Sequence, residues 1–328
     1  MLGRFKVHYR ILGKTGLQVS EIGFGAWGIG KSGWVGAEDD ESLRALNRAI
    51  DLGLNFIDTA YGYGEGHSER LIGQVLHDRS EQVYVATKIP PKNRQWPAAH
   101  TTLVEDAFPG EYVREYTERS LQNLGVDSLD VQQFHVWSDS WMDHGDWLDA
   151  VQRLKTEGKI RFFGVSINDH EPDSALKLVR SGVVDVVQVI YNIFDQSPED
   201  ELFPACQAHN VGVIVRVPFD EGALTGTITP DTEFPPGDWR NRYFRGERKR
   251  EVYERIQAIA QDLQIELEQL PEVSLRYTLS HPAVSTVIPG MRRARNVERN
   301  VVVGNGLGLP HAQVQQLKAH RWIRNYYK

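Results

Sequence analysis

Four residues have the types and positions that an acid–base site would need: Asp58, Tyr63 five positions later, Lys88 and His135. A tyrosine, with a reference pKa near ~10, is a poor acid–base group at neutral pH unless a cation stabilises its phenolate. Lys88 can supply that cation, and Asp58 can keep the lysine charged and oriented. His135 can donate to, or accept from, a substrate oxygen. Each also has a plain structural explanation: a Lys–Asp pair tying two strands, a tyrosine anchoring a loop, a satisfied core histidine. Their positions favour chemistry, because Asp58, Lys88 and His135 each close a short apolar run: LNFID (54–58), VYVATK (83–88) and VQQFH (131–135).

Five further runs share that form: EIGFG (21–25), FFGVS (162–166), VVQVIY (186–191), GVIVRV (212–217) and VSTVI (284–288). Segments with helical periodicity lie between most of them. Leu43, Leu46 and Ile50 share one face, as do Val113, Tyr116, Leu121 and Leu124, and Val252, Ile256, Ile259 and Leu263. Near-continuous apolar strands alternating with amphipathic helices predict parallel strands covered by helices. Eight such units predict an α/β fold, a closed (β/α)8 TIM barrel, spanning 1–328 as one domain. YRILGKTGLQVS (9–20) reads as an N-terminal β-hairpin plugging the bottom of the barrel. The longest irregular segments, 90–110, 136–147 and 218–244, all follow strands and therefore rise from the C-terminal rim, where barrel enzymes hold their sites. Ser166, Asn168, Gln188, Arg216 and Gly290 reach the same rim.

The stretch GFGAWGIGKS (23–32) fits both the dinucleotide fingerprint and the phosphate-binding P-loop. Both motifs need a helix to open directly at their last residues. Here Ser32 leads into Gly33-Trp34-Val35-Gly36, and helical periodicity begins only near Asp39. A loop bearing Trp27 and Trp34 is expected instead.

Composition excludes several classes. The formal charge of −7, from 37 Lys and Arg against 44 Asp and Glu, leaves no cationic excess for nucleic acid. No apolar leader opens the chain and no run of about 18 apolar residues occurs, so neither secretion nor a membrane span is expected and the cytoplasm is. The single cysteine, Cys206, excludes an intramolecular disulfide and a Cys-rich zinc site. His67, His100 and His144 read as loop residues, and no metal is assigned.

The run FIDTAYGYGEGHSERLIG (56–73) resembles the signature of the aldo-keto reductases, F-[IL]-D-T-A-x-x-Y-G. VYVATK, the strand ending at His135, GVSIN (164–168), GALTG (222–226) and VIPG (287–290) follow in that family's order. The resemblance runs from the N-terminal hairpin to about Asn300. It implies a (β/α)8 barrel that binds NAD(P)H across its rim and reduces aldehydes or ketones to alcohols. By similarity, Tyr63 would be the general acid, Lys88 and Asp58 would lower its pKa, and His135 would orient the carbonyl. Ser166, Asn168 and Gln188 would hold the nicotinamide, and the loop carrying Gly222, Leu224 and Gly226 would run along the pyrophosphate. Gly290, Arg292, Asn296 and Asn300 would line the adenosine end. Arg292, Arg293 and Arg295 cluster where a 2′-phosphate would sit, which favours NADPH with NADH as the alternative.

The chain departs from the family at three points. Ile167 separates Ser166 from Asn168, Arg216 stands where many members stack an aromatic ring on the nicotinamide, and Asn296 replaces a residue often basic in NADPH users. Trp27, Trp96, Trp137 and Trp141 are expected to frame a pocket for a small-molecule carbonyl, aromatic or sugar-like. Two rival readings come with the family: a cofactor-binding regulatory subunit like those of potassium channels, and a dehydrogenase or epimerase of a sugar-like alcohol.

Overall fold

A computed structural model describes residues 6–328; residues 1–5, part of the segment read as lacking an apolar leader, lie outside it. All eight apolar runs form strands. They are β3 (Phe24–Gly25), β4 (Phe56–Asp58), β5 (Tyr84–Ile89), β6 (Leu129–Phe134), β7 (Ile160–Ser166), β8 (Val186–Ile190), β9 (Gly212–Arg216) and β10 (Thr286–Val287). They pair in sequence order as one parallel sheet. Parallel bridges Ile22↔Val287 and Gly25↔Gly290 join its first and last strands and close the barrel.

The helices of the described residues are α1 (Asp39–Asp51), α2 (His67–His77), α3 (Val104–Ala107), α4 (Gly110–Leu124), α5 (Trp147–Thr156), α6 (Leu176–Ser181), α7 (Leu202–Ala208), α8 (Arg240–Tyr243), α9 (Arg248–Leu263), α10 (Leu270–Leu279), α11 (Ala294–Val301) and α12 (His311–Lys318), with α3 and α8 inside the rim segments 90–110 and 218–244. The expected stripes face the barrel: Val252, Ile256, Ile259 and Leu263 of α9 are buried, as are Val113, Leu121 and Leu124 of α4. No described helix is long and apolar enough to cross a membrane.

The hairpin β1 (Tyr9–Ile11) and β2 (Gln18–Ser20) pairs antiparallel and stops the lower end. Leu12, Leu17 and Val19 pack there against Phe56, Ala86, Val131, Val186 and Ile214 of β4, β5, β6, β8 and β9. Leu12 is fully buried, so truncating it to alanine is expected to cost about 2–5 kcal/mol. With the bottom filled by apolar side chains, polar groups gather at the other end of the strands. The register sets their levels: Asp58 pairs with Ala86, Lys88 with Gln133, and Ser166 with Gln188.

The glycine-rich stretch serves packing. Trp27–Ile29 is a turn of 3-10 helix, and the next helix opens at Asp39, seven residues past Ser32. A Cβ on Gly25 would lie 2.5 Å from the Ile288 carbonyl oxygen at the barrel seam, and one on Gly30 would lie 2.7 Å from the backbone of Tyr63. Glycine is therefore needed where backbones approach closely. α1 does not open at Lys31 but at Asp39, whose carboxylate pairs with the Lys31 ammonium at 2.9 Å.

Candidate active site

Lys88 is fully buried at the end of β5, and its three N–H donors are all directed at neighbours. Nζ donates to Asp58 Oδ2 at 2.6 Å and to the Thr59 carbonyl at 2.8 Å, and the third direction meets the Tyr63 hydroxyl at 3.4 Å. The other oxygen of Asp58 accepts from Gln188 at 2.6 Å and from Gln133 at 3.4 Å. One carboxylate thus ties β4, β5, β6 and β8 beneath the phenol. The His135 ring stands edge-on to Tyr63 with centroids 5.7 Å apart. Trp27 lies on one side, 6.3 Å from the Tyr63 ring, and Trp96 on the other, 5.6 Å from His135.

The electrostatics correct one expectation. Burial pushes the Tyr63 phenol above its ordinary value, and the Asp58 charge pushes it further, with Arg216 opposing. Asp58 therefore raises the phenol rather than lowering it, because its negative charge faces the same buried space. Tyr63 holds its proton at neutral pH. Burial lowers the Lys88 ammonium, opposed by the charge and hydrogen bond of Asp58. His135 is held well below its usual value by burial and by the charges of Lys88 and Arg216, so it is a neutral imidazole.

These groups open into a cleft of about 1040 Å³ along the C-terminal rim. Asp58, Tyr63 and His135 line one end, with Ser166, Asn168, Gln188 and Arg216 beside them. Gly222 lies on the wall, and Gly290, Arg292, Arg295, Asn296 and Asn300 line the far end. Lys88 is fully buried behind that surface, in contact with Tyr63 and Asp58. Asn168 exchanges hydrogen bonds with the backbone of Ala98, accepting at 3.3 Å and donating at 3.2 Å, which anchors the 90–110 loop carrying Trp96. Arg216 donates to the Ile167 carbonyl at 3.0 Å and to Asp169 at 2.7 Å.

Four expected residues lie elsewhere. Trp137 is fully buried off the cleft, its indole N–H satisfied by Asp139 at 2.9 Å within its own loop and its ring against Trp141 and Trp147. Trp141 is equally buried, donating to the Thr102 carbonyl. Both indoles find an apolar pocket with an acceptor in reach, within the same loop for Trp137 and from the 90–110 segment for Trp141, the arrangement a core tryptophan favours. Leu224 packs into the core, and Gly226 sits at φ 74° with the Leu267 carbonyl where a Cβ would be. Both shape the loop from behind.

Other cleft residues carry no motif signal. Glu221, Phe234, Arg240, Arg299 and Tyr327 line it as well. The acidic pair in PFDEGALTG is the one trace of Glu221 in the sequence, and Tyr327, three hundred residues from the first strand, leaves none.

A sequence model of the aldo/keto reductase family matches residues 21–321. An NADH-specific methylglyoxal reductase of Escherichia coli is 31% identical over 308 residues, 90% of this chain and 92% of that protein. L-galactose dehydrogenase of Arabidopsis thaliana is 29% identical over 326 residues, 96% of this chain and 94% of that protein. Among solved structures, the holo form of an aldo-keto reductase from Bacillus halodurans superposes with a TM-score of 0.74 at 26% identity, covering 98% of this chain and all of that one. A match over nearly the whole barrel, on a rim that gathers a tyrosine, a lysine, an aspartate and a histidine, establishes that the chain belongs to the aldo/keto reductase family of NAD(P)H-dependent oxidoreductases.

Proposed function

We propose that this chain reduces a small aldehyde or ketone to an alcohol with NADPH, and that Tyr63 delivers the proton. The observation that carries the reading is the Tyr63 hydroxyl, protonated by its surroundings and set 3.4 Å from the Lys88 ammonium at the cleft end flanked by Trp27 and Trp96.

The rim suits a dinucleotide. His135 Nδ1, Arg216 Nε and Trp34 Nε1 are buried on cleft-lining residues and have no hydrogen-bond partner among the described residues. Buried polar atoms left so call for a ligand or water. A cavity of this size lies at the top of the roughly 300–1,000 Å³ range of small-molecule sites. Arg292, Arg293 and Arg295 also border, with Arg44, a smaller recess beside the adenosine end. Guanidinium groups bind phosphate well, which favours NADPH.

Bound there, the nicotinamide supplies the hydride. The protein's part is to bind, orient and protonate. His135, neutral and across from Tyr63, directs the carbonyl oxygen toward the phenol. Tyr63 gives its proton to that oxygen as negative charge develops on it. The phenolate that results lies beside the Lys88 ammonium, which Asp58 holds in place. Trp27 and Trp96 offer flat apolar walls suited to a short carbonyl compound or to the face of a sugar. The names of two relatives, a methylglyoxal reductase and a galactose dehydrogenase, agree with that range.

The test is consumption of NADPH and NADH with methylglyoxal, aldoses and aromatic aldehydes, run beside Tyr63→Phe. Loss of the acid is expected to lower kcat by about 10²- to 10⁴-fold with cofactor Kd unchanged. Full activity in Tyr63→Phe would remove the assignment.

A further inference from the structure

The loop after β9 is held in an uncommon conformation. Val217, Asp220 and Glu221 have φ of 55°, 48° and 58°, and Gly222 follows at 108°. Non-glycine residues adopt that region rarely, and here it turns two consecutive carboxylates into the protein. Asp220 is fully buried and pairs with the Arg324 guanidinium of the C-terminal segment. Glu221, 7% exposed, lies in the cleft wall and has a different kind of partner: its Oε1 accepts from the Tyr327 hydroxyl at 2.5 Å. One acid has a full counter-charge, and its neighbour has only a neutral phenol.

The charges facing Glu221 come from every side. Asp220 adjoins it in its own loop, Asp169 faces it from the loop after β7, and Arg216 from the end of β9. Arg216 is already engaged by Asp169. Tyr63 in the cleft and the buried Tyr243 also sense the carboxylate, and Tyr327 contacts it from the tail. Burial, then Asp220 and Asp169, push the Glu221 carboxyl up to about 7, while the Tyr327 hydrogen bond and Arg216 oppose.

We propose that Glu221 takes up a proton when the dinucleotide seats along residues 218–226, so that cofactor affinity is linked to pH through this one side chain. The inference rests on the functional reading above, in which an anionic pyrophosphate runs along that loop. Two added negative charges beside a buried carboxylate favour its neutral form. One proton passes from solvent to the carboxylate, and the resulting O–H can donate to a phosphate oxygen that the carboxylate would repel. No other bond forms or breaks.

The sign follows from linkage. A group whose pKa is higher in the complex than in the free protein makes binding tighter as pH falls. Below about pH 7 both forms carry the proton and affinity levels off; above it, Kd rises by up to about tenfold per pH unit. NADPH binding is read by quenching of tryptophan fluorescence across this range, in the wild-type chain, Glu221→Gln and Tyr327→Phe. The 2′-phosphate titrates equally in all three.

Glu221→Gln is expected to lose the slope, and calorimetry in two buffers of different ionisation heat is expected to show uptake of about one proton at about pH 8 in the wild type and none in the variant. Tyr327→Phe removes the bond that stabilises the carboxylate, so its break is expected at higher pH. A slope shared by Glu221→Gln, no proton uptake in the wild type, or a break unmoved in Tyr327→Phe would each overturn the inference. Failure of the wild type to bind either NADPH or NADH would instead remove the functional reading, and this inference with it.

Discussion

Asp58→Asn tests the ion pair beneath Tyr63. The pair is 2.6 Å long with its side chains 0% and 2% exposed, so neither charge has water to fall back on. The substitution keeps an acceptor for Gln188 but leaves the Lys88 ammonium with only the Thr59 carbonyl and the Tyr63 hydroxyl, and it can turn an amide N–H toward that cation. Breaking a buried pair from one side costs about 3–5 kcal/mol. Lys88→Met leaves the Asp58 carboxylate unpaired and is expected to cost a similar amount. Together they remove both charges, so the double variant is expected to lose only about 1–3 kcal/mol, chiefly from the stranded Thr59 carbonyl. That corresponds to a coupling of at least about 3 kcal/mol in a double-mutant cycle. Urea unfolding at neutral pH measures it.

The pH dependence of the same variant has a fixed sign. Without Asp58, the folded-state pKa of Lys88 falls further below the unfolded value near ~10.4. The unfolded chain then binds more protons in that window, so stability rises with pH and the deficit of Asp58→Asn shrinks toward alkaline pH. A loss below about 1 kcal/mol, or additive single variants, would refute the argument that Asp58 and Lys88 stabilise the site as a pair.

His135 is held neutral far below its usual range, so the pH profile of kcat/KM is expected to carry no step near ~6.5 from this group; a step there that vanishes in His135→Asn would contradict it. Arg324→Met strands the buried Asp220 and is expected to cost about 3–5 kcal/mol, whereas Arg321→Met, at a solvent-exposed pair with Asp200, is expected to cost under about 1 kcal/mol. Urea melts of the two, side by side, decide whether burial sets the difference. Arg295→Gln is expected to weaken NADPH by about ten- to a hundredfold while leaving NADH nearly unchanged, as equilibrium titration with both cofactors would show.

The sequence was informative where a residue's place follows from its neighbours. The eight strands were legible because parallel barrel strands are buried on both faces and so read as short apolar runs. Asp58, Lys88 and His135 were legible because each sits where such a run ends, and strand ends must share one rim. The glycine-rich stretch was legible as a loop because the helix required by either nucleotide motif begins too late.

Trp137 and Trp141 went the other way. Their loop does rise from the rim, but each indole turned inward to an apolar pocket and a backbone or carboxylate acceptor, a choice between two burials that local sequence does not encode. Asn168 and Gln188 lie at the rim, as strand-end positions imply, yet their amides serve Ala98 and Asp58, partners 70 and 130 residues away.

By itself, then, the sequence determined the strand order, the plugged end, the chemical types at the open end and the family to which they belong. Tertiary structure alone decided which of those groups are charged and what surrounds them. The Tyr327 bond to Glu221 spans 106 residues, and the Arg324 pair with Asp220 spans 104. Each is made by the C-terminal tail to a loop whose backbone has positive φ at Asp220 and Glu221. The physical reason is range: periodicity and spacing report contacts a few residues apart, while burial and Coulomb interactions depend on distances in space that exist only once the barrel has closed.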